Sequence, residues 1–177
     1  MSLRILTSMS ELLAADRPIN PGEDRPTAWW SYIAEYEEGP GSILLDLRLR
    51  VIAPVENYRH VVVTGPSYTS TRCDAFPDTE EFGRVSALSD AVCAAIAAKT
   101  PSIFAGRFTC HFEQLSYVYV QDPTGLAEVI AGVYATLCPA GKTYTNIKED
   151  ASWAAYLDFL FPNAATRQFY GVLLDCG

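Results

Sequence analysis

Residues 78–120 decide the fold, and they read DTEEFGRVSALSDAVCAAIAAKTPSIFAGRFTCHFEQLSYVYV. The first half predicts a helix, because Asp78 can cap it and apolar residues follow at three- and four-residue steps to Lys99. That stripe consists of Phe82, Val85, Leu88, Val92 and Ile96. The second half predicts two strands, 103–110 and 115–120, with a short turn between them. A helix followed by a β-hairpin is therefore the centre of the fold.

The flanking segments complete a recognisable order. Residues 60–64 predict a strand before the central helix. Asp122 and Pro123 predict the start of a second helix, which ends before the Pro139-Ala-Gly141 turn and is followed by a strand at 144–148. The apolar stripe of that helix is Leu126, Val129, Ile130, Val133 and Leu137. The resulting order β-α-β-β-α-β is typical of a ferredoxin-like α+β fold, with both helices on one face of an antiparallel sheet.

Additional elements are predicted at both ends. Strands at 29–36 and 42–50 are expected to form a hairpin that extends the sheet at one edge, since 42–50 alternates strictly. Near the end, Asp150 is expected to cap a third helix, and a further helix is favoured at 163–174. The third helix would carry Trp153, Tyr156, Leu157 and Leu160. Residues 1–27 are interpreted as an N-terminal arm, and 28–177 as one α+β domain.

Composition restricts the classes of partner. The chain has 177 residues, a hydrophobic fraction of 49% and a formal net charge of −8 at pH 7. Its 13 basic residues are scattered, whereas nucleic-acid binding needs clustered Lys and Arg. No apolar run approaches the length of a membrane span. We therefore expect no nucleic acid and no membrane as partners, and an acidic surface that could steer toward a protein with a basic surface.

Cysteine and histidine usage predicts neither a metal site nor a cofactor. The five cysteines contain no CxxC pair, and there are only two histidines, His60 and His111. The N-terminus lacks the basic and apolar regions of a signal peptide. These features favour a soluble protein of the cytoplasm, where thiols stay reduced.

Several fragments occur in an order that resembles a known bacterial family. They are Trp30 with Tyr32, Ser42–Leu49, Ala53-Pro54, Thr79–Phe82, Gly106–Thr109, Tyr117–Tyr119 and Asp150–Pro162. This ordered set resembles the domain-of-unknown-function family 695. The resemblance implies a fold similar to that of the regulator of ribonuclease E activity B, a small acidic protein that acts by binding an enzyme. It implies no catalytic residue, because the family has no established activity.

Arg107 is the most unusual residue of the predicted strands. The alternation of 103–110 places it on the face of Ile103 and Ala105, and Gly106 beside it suggests a bulge or a close backbone approach. It could hold an anionic group in a groove. The favoured interpretation is an ion pair with a neighbouring Glu or Asp on an open sheet face.

Two further pairs are candidate binding residues. Tyr117 and Tyr119 share a strand face, where core packing is favoured over stacking on bases. His111 and Glu113 are two residues apart and could act as a base and its orienting carboxylate, although no convincing nucleophile accompanies them.

The tryptophans divide by position. Trp30 and Trp153 are expected in the core because of the amphipathic pattern around each. Trp29 should point the opposite way from Trp30, which makes it a candidate exposed anchor for a partner.

Three functional hypotheses follow. The leading one is a non-catalytic regulatory module that binds another protein. The second is a small hydrolase or anionic-ligand-binding protein with a cleft near Arg107, His111 and Glu113. The third is an immunity-type protein that neutralises a basic toxin.

Overall fold

The computed structural model describes residues 28–171. The predicted arm at 1–27 and the last residues of the predicted 163–174 helix lie outside this range. The elements are β1 Trp29–Tyr36, β2 Gly39–Asp46, α1 Leu49–Ile52, β3 His60–Pro66, α2 Thr79–Lys99, β4 Ser102–Cys110, β5 Glu113–Val120, α3 Leu126–Leu137, β6 Thr143–Glu149, a π-helix Ala155–Leu160 and α4 Ala164–Phe169.

The fold is α+β, built on one six-stranded antiparallel sheet. Its strand order is β1-β2-β4-β5-β3-β6. The β1–β2 hairpin joins the sheet through β2, which pairs with β4, so the predicted extension at one edge is confirmed. No helix of the described part is long and apolar enough to cross a membrane.

Two hydrophobic cores cover opposite faces of the sheet. One lies between the sheet and the helices α2 and α3, where Val62 and Val118 meet Val92 and Ile130. The other lies between the sheet and the segment around the π-helix, and includes Trp153. Because both faces of β3 are covered, its sequence is a continuous apolar run rather than an alternating one.

Helix α2 begins as its sequence predicts. The Asp78 carboxylate accepts a hydrogen bond from the backbone N–H of Glu81 at 2.9 Å. The predicted stripe is buried from Val85 onward, but Phe82 is exposed, which corrects its assignment to the core. Phe82 lies in the first turn, before the part of α2 that packs on the sheet.

Helix α3 begins later than predicted. The Asp122 carboxylate accepts from the backbone N–H of Thr124 and so closes a turn, and the helix starts at Leu126 after Gly125 in a left-handed conformation. Ile130 is buried as expected, whereas Leu137 at the helix end is exposed.

Strand β2 begins at Gly39 and ends at Asp46, so it starts and ends earlier than the predicted 42–50. It ends at Asp46, whose carboxylate accepts hydrogen bonds from the backbone N–H groups of Ala28 and Arg48. This turns the chain into α1. Leu47 and Leu49 are nevertheless buried, so the alternation predicted their burial correctly. It placed the end of the strand too late, because Leu49 and Arg50 belong to α1.

The Asp150 cap is present, but the element that follows is a π-helix. The Asp150 carboxylate accepts from the N–H groups of Ala154 and Ala155, both at 2.9 Å. Phe161 N–H donates to the carbonyl of Tyr156 five residues earlier, which is the π-helical pattern. The sequence periodicity did not distinguish this widened helix from an α-helix.

Asp150 should make stability sensitive to acid. Burial alone would raise its pKa, but hydrogen bonds from Tyr119, Ala155 and Ala154 outweigh burial and hold the pKa below its usual value. Because the folded-state pKa is depressed, this stabilisation is complete above the unfolded pKa of about 4 and is lost as pH falls through the folded pKa. We expect the urea midpoint of the wild type to fall more between pH 7 and pH ~3 than that of Asp150→Asn. Equal losses would contradict this role.

Candidate functional site

The helix side of the sheet is only partly covered. Alternate residues of β1, Trp29, Ser31 and Ile33, are exposed there, while the intervening residues pack in the opposite core. Trp29 lies beside Phe104 of β4, with ring centroids 5.5 Å apart, and Ser31 pairs with the half-buried Leu44. We call the surface formed by Trp29, Ser31, Ile33, Leu44 and Phe104 the open shelf.

The open shelf is apolar in its floor and acidic at its margins. The side chains of Trp29 and Ile33 are 46% and 50% exposed, which is high for residues of this size. Glu35 continues the exposed face of β1, and Asp90 projects from α2 at the opposite margin with a side chain that is 72% exposed. A surface of this kind suits an apolar partner with basic flanks.

Arg107 lies on a different face from the one predicted. The β4–β5 register shifts between Phe104 and Gly106. Ala105 and Gly106 consequently both face the π-helix side, and Arg107 joins Phe104 on the helix side. A β-bulge adds one residue to a strand and so reverses the alternation after it.

Arg107 forms the expected ion pair, but under helix α2 rather than on an open face. Its guanidinium donates to the Asp90 carboxylate at 2.8 Å, and its side chain is only 13% exposed. It also lies over the Phe104 ring at 5.6 Å. Arg107 therefore lies between the shelf and α2, and its guanidinium is paired with the Asp90 carboxylate.

Gly106 is required by close packing, as its position suggested. A Cβ atom there would lie 2.4 Å from the backbone oxygen of Leu44 on the neighbouring strand. Only glycine lets β4 approach β2 at this point.

His111 and Glu113 line a second surface, a cleft of about 1020 Å³. His111 and Phe112 form the two-residue β4–β5 turn, both with positive φ, which matches the type I′ hairpin geometry. Other cleft residues include Tyr68, Glu81, Arg84, Cys138 and Lys142. Arg107 does not line this cleft, so the structure does not bring it together with His111 and Glu113.

Two of the charged groups in the cleft, Glu81 and Arg84, are paired with each other. Arg84 binds both carboxylate oxygens of Glu81 at 2.7 and 2.8 Å, and this contact lowers the pKa of Glu81. Within residues 28–171, His111 contacts the Phe112 ring and makes no hydrogen bond to Glu113. Arg84 is 3.8 Å from the sulfur of Cys138. Among the described residues that line the cleft, no nucleophile is hydrogen-bonded to a base. The part of the chain that the structure describes contains no group of three or more potential metal ligands.

Tyr117 and Tyr119 share a face, as predicted, on the side of the π-helix. Tyr119 is fully buried, stacks on Trp153 at 3.8 Å and donates its hydroxyl to Asp150 at 2.7 Å. Its ring is therefore part of the core and is not available to a base. Tyr117 lies beside Phe159, with ring centroids 5.6 Å apart.

The tryptophans occupy the positions that their sequence pattern suggested. Trp153 is fully buried and donates its indole N–H to the carbonyl of Tyr58, and Trp30 packs half-buried against the same core. Trp29 is exposed on the open shelf. The residues that sequence reasoning missed there are Ile33 and Asp90. The alternation of β1 would have placed Ile33 with Trp29, but nothing local pairs Asp90 with Arg107.

Comparison with known proteins identifies the relationship. A model for a family of unknown function, DUF695, matches residues 27–161. The chain belongs to this family. No curated protein and no solved structure matches it.

The DUF695 match covers every strand of the sheet, both long helices and the π-helix. The open shelf and the cleft lie entirely within it. Helix α4 follows the matched residues, although Tyr170 beyond it donates to the carbonyl of Ile33 on the edge strand β1.

Proposed function

We propose that this protein is a non-catalytic binding module whose open shelf receives a basic amphipathic helix of another protein. The observation that carries this proposal is the incomplete helix layer. Adjacent strands are about 4.8 Å apart and packed helices about 10 Å apart, so six strands need roughly three helices to cover them. Helices α2 and α3 provide two, and the edge strand β1 carries the exposed Trp29 and Ile33.

The charge pattern selects the chemistry of the partner. Glu35 and Asp90 border the apolar floor, and Arg107, the cation beside it, is largely buried and paired with Asp90. The net charge of −8 extends the same field over a longer range. A helix with an apolar stripe and lysine or arginine at its edges complements this surface. A basic toxin, as in the immunity-type hypothesis, is one partner of this class.

We also propose that residues 60–149 form a ferredoxin-like unit with the hairpin added at its β4 edge. Two observations support this topology: the element order β3-α2-β4-β5-α3-β6, and the antiparallel strand order β4-β5-β3-β6. The hairpin extends the sheet without a helix of its own, which explains why the shelf is open. The likeness to the regulator of ribonuclease E activity B is consistent with a binding role but remains an analogy.

A designed peptide tests the shelf directly. An 18-residue Leu/Lys amphipathic helix is titrated into the full chain, and a Leu/Glu peptide with the same leucine positions serves as the charge control. We expect saturable binding of the basic peptide only. Ile33→Asp should weaken it at least about tenfold, or about 1.4 kcal/mol. Val51→Asp, at an equally exposed site on α1, should change it little.

Further variants separate the possible outcomes. Asp90→Lys should weaken the binding of the basic peptide, because it replaces an acidic side chain at the margin of the shelf with a basic one. Equal weakening by Ile33→Asp and Val51→Asp would overturn the shelf as the binding surface. A different result would be that the full chain does not bind the peptide, whereas a chain lacking residues 1–27 does. In that case the N-terminal segment occupies the shelf, and the partner proposal is wrong. In cells, a photo-cross-linker at Ile33 should capture a defined protein that the same group at Val51 does not.

A further inference from the structure

A separate groove lies on the other face of the sheet, between the π-helix and the edge strand β6. Its volume is about 300 Å³, the lower end of the range for small-molecule sites. The floor is Val63, Leu115 and Tyr117. Ala155 and Phe159 of the π-helix form one wall, and Tyr144, Asn146 and Lys148 of β6 form the other, with Glu113 also lining it.

The wall of this groove is built from unusual backbone. Trp153 has φ of 59°, a conformation that is costly for a bulky residue, and the π-helix begins two residues later at Ala155. The buried Trp153 ring and the Asp150 carboxylate hold this turn in place. Strained residues and π-helices concentrate at functional sites, where the surrounding structure maintains them. In this protein, the strained turn and the π-helix position Ala155 and Phe159 along one side of the groove.

A polar side chain in the floor has no partner. Tyr117 is only 8% exposed, and within residues 28–171 its hydroxyl makes no hydrogen bond. Burial raises the pKa of this phenol, so it remains protonated at neutral pH and can donate. Tyr144 lines the same groove, so the two phenols face one space. The hydroxyl is not one of the buried, unpartnered atoms of the described residues, so it is accessible from the groove and can donate to a ligand or to water.

The charged groups that line the groove make its two ends different, with Lys148 at one end and Glu113 at the other. Within the described residues, neither Lys148 nor Glu113 has an ion-pair partner within 4 Å, although the charge of Lys148 contributes to the lowered pKa of Asp150. In the strand register, Lys148 of β6 lies opposite Val61 of β3, and Asn146 lies opposite Val63. Val63 in turn lies opposite Tyr117 of β5. The two levels are two residues apart, or about 7 Å. An aryl acid with a one- or two-carbon arm, together with the flexible lysine side chain, spans that separation.

We propose that this groove binds a small aromatic carboxylate, with its ring among Tyr117, Tyr144 and Phe159 and its carboxylate on Lys148. Three aromatic side chains favour a flat ring, and the donors Lys148, Asn146 and Tyr117 favour an anionic group. Glu113, at the end away from Lys148, repels a second anion and can accept from a hydroxyl or amino substituent. The groove is on the opposite face from the open shelf and does not depend on the proposed partner helix.

Three probes test the chemistry by calorimetry on the full chain. They are 4-hydroxyphenylacetate, the neutral 4-hydroxyphenethyl alcohol and the non-aromatic cyclohexylacetate. We expect saturable binding of 4-hydroxyphenylacetate, and at least fivefold weaker binding of the other two (about 1 kcal/mol). No saturable binding of the aromatic acid at ~5 mM would overturn the proposal.

Variants locate the site. Lys148→Gln should remove the preference for the acid over the alcohol, and Tyr117→Phe should weaken the binding of both aromatic probes. Lys142→Gln is the matched control, because Lys142 is also exposed but lines the cleft at His111. Equal effects of Lys148→Gln and Lys142→Gln would show a general charge effect and refute the assigned groove. Ile33→Asp should leave this binding unchanged, which keeps failure here distinct from failure at the open shelf.

Discussion

Gly65→Ala should destabilise the protein by at least about 3 kcal/mol or prevent it from folding. Gly65 lies in β3, and a Cβ atom there would be 1.7 Å from the backbone oxygen of Gln114. Backbone atoms in the middle of a sheet cannot move aside as a flexible side chain can. Relief would require β3 and β5 to separate, and these strands carry residues of both cores. Urea denaturation followed by circular dichroism measures the effect.

Gly132→Ala is the matched control for Gly65→Ala. Gly132 lies in α3, is exposed, and a Cβ atom there would meet nothing within 4 Å. Glycine inside a helix costs about 0.5–1 kcal/mol relative to alanine, so this variant should be more stable than wild type. Similar stabilities for the two variants would contradict the close approach of β3 and β5.

Trp153→Ala should cost about 3–5 kcal/mol, the usual range for removing a large buried ring. Trp153 is fully buried, stacks on Tyr119 at 3.8 Å and donates to the carbonyl of Tyr58 at 2.8 Å. Its loss would leave a cavity beneath the π-helix and an unpaired carbonyl. Relief of the positive φ at this position is a smaller effect, because alanine is also disfavoured there.

Trp29→Ala provides the comparison for Trp153→Ala. Trp29 is 46% exposed, and within residues 28–171 its ring contacts that of Phe104. We expect a loss of no more than about 1 kcal/mol in the same urea titration. A larger loss from Trp29→Ala than from Trp153→Ala would mean that the open shelf is structural and not a binding surface.

The sequence by itself determined most of the helices and strands and much of what each one buries, although it missed α1 and did not distinguish the π-helix. The Asp78 cap, the stripe of α2 from Val85 and the alternation of β1 are local patterns, because capping and amphipathicity act within a few residues. The same locality placed Trp29 and Trp30 on opposite faces. It also associated Tyr117 with Tyr119, and the quoted fragments with family 695.

Only the tertiary structure decided the features that depend on pairing between distant segments. The bulge at Ala105 turns Arg107 toward α2 and pairs it with Asp90, because β4 must stay in register with β5 while passing close to β2. Asp46 ends β2 by binding Ala28, eighteen residues earlier. The open shelf and the groove arise where the sheet is wider than the helices and segments that cover it. The periodicity of a single element cannot predict that width, because the width depends on how many strands pair.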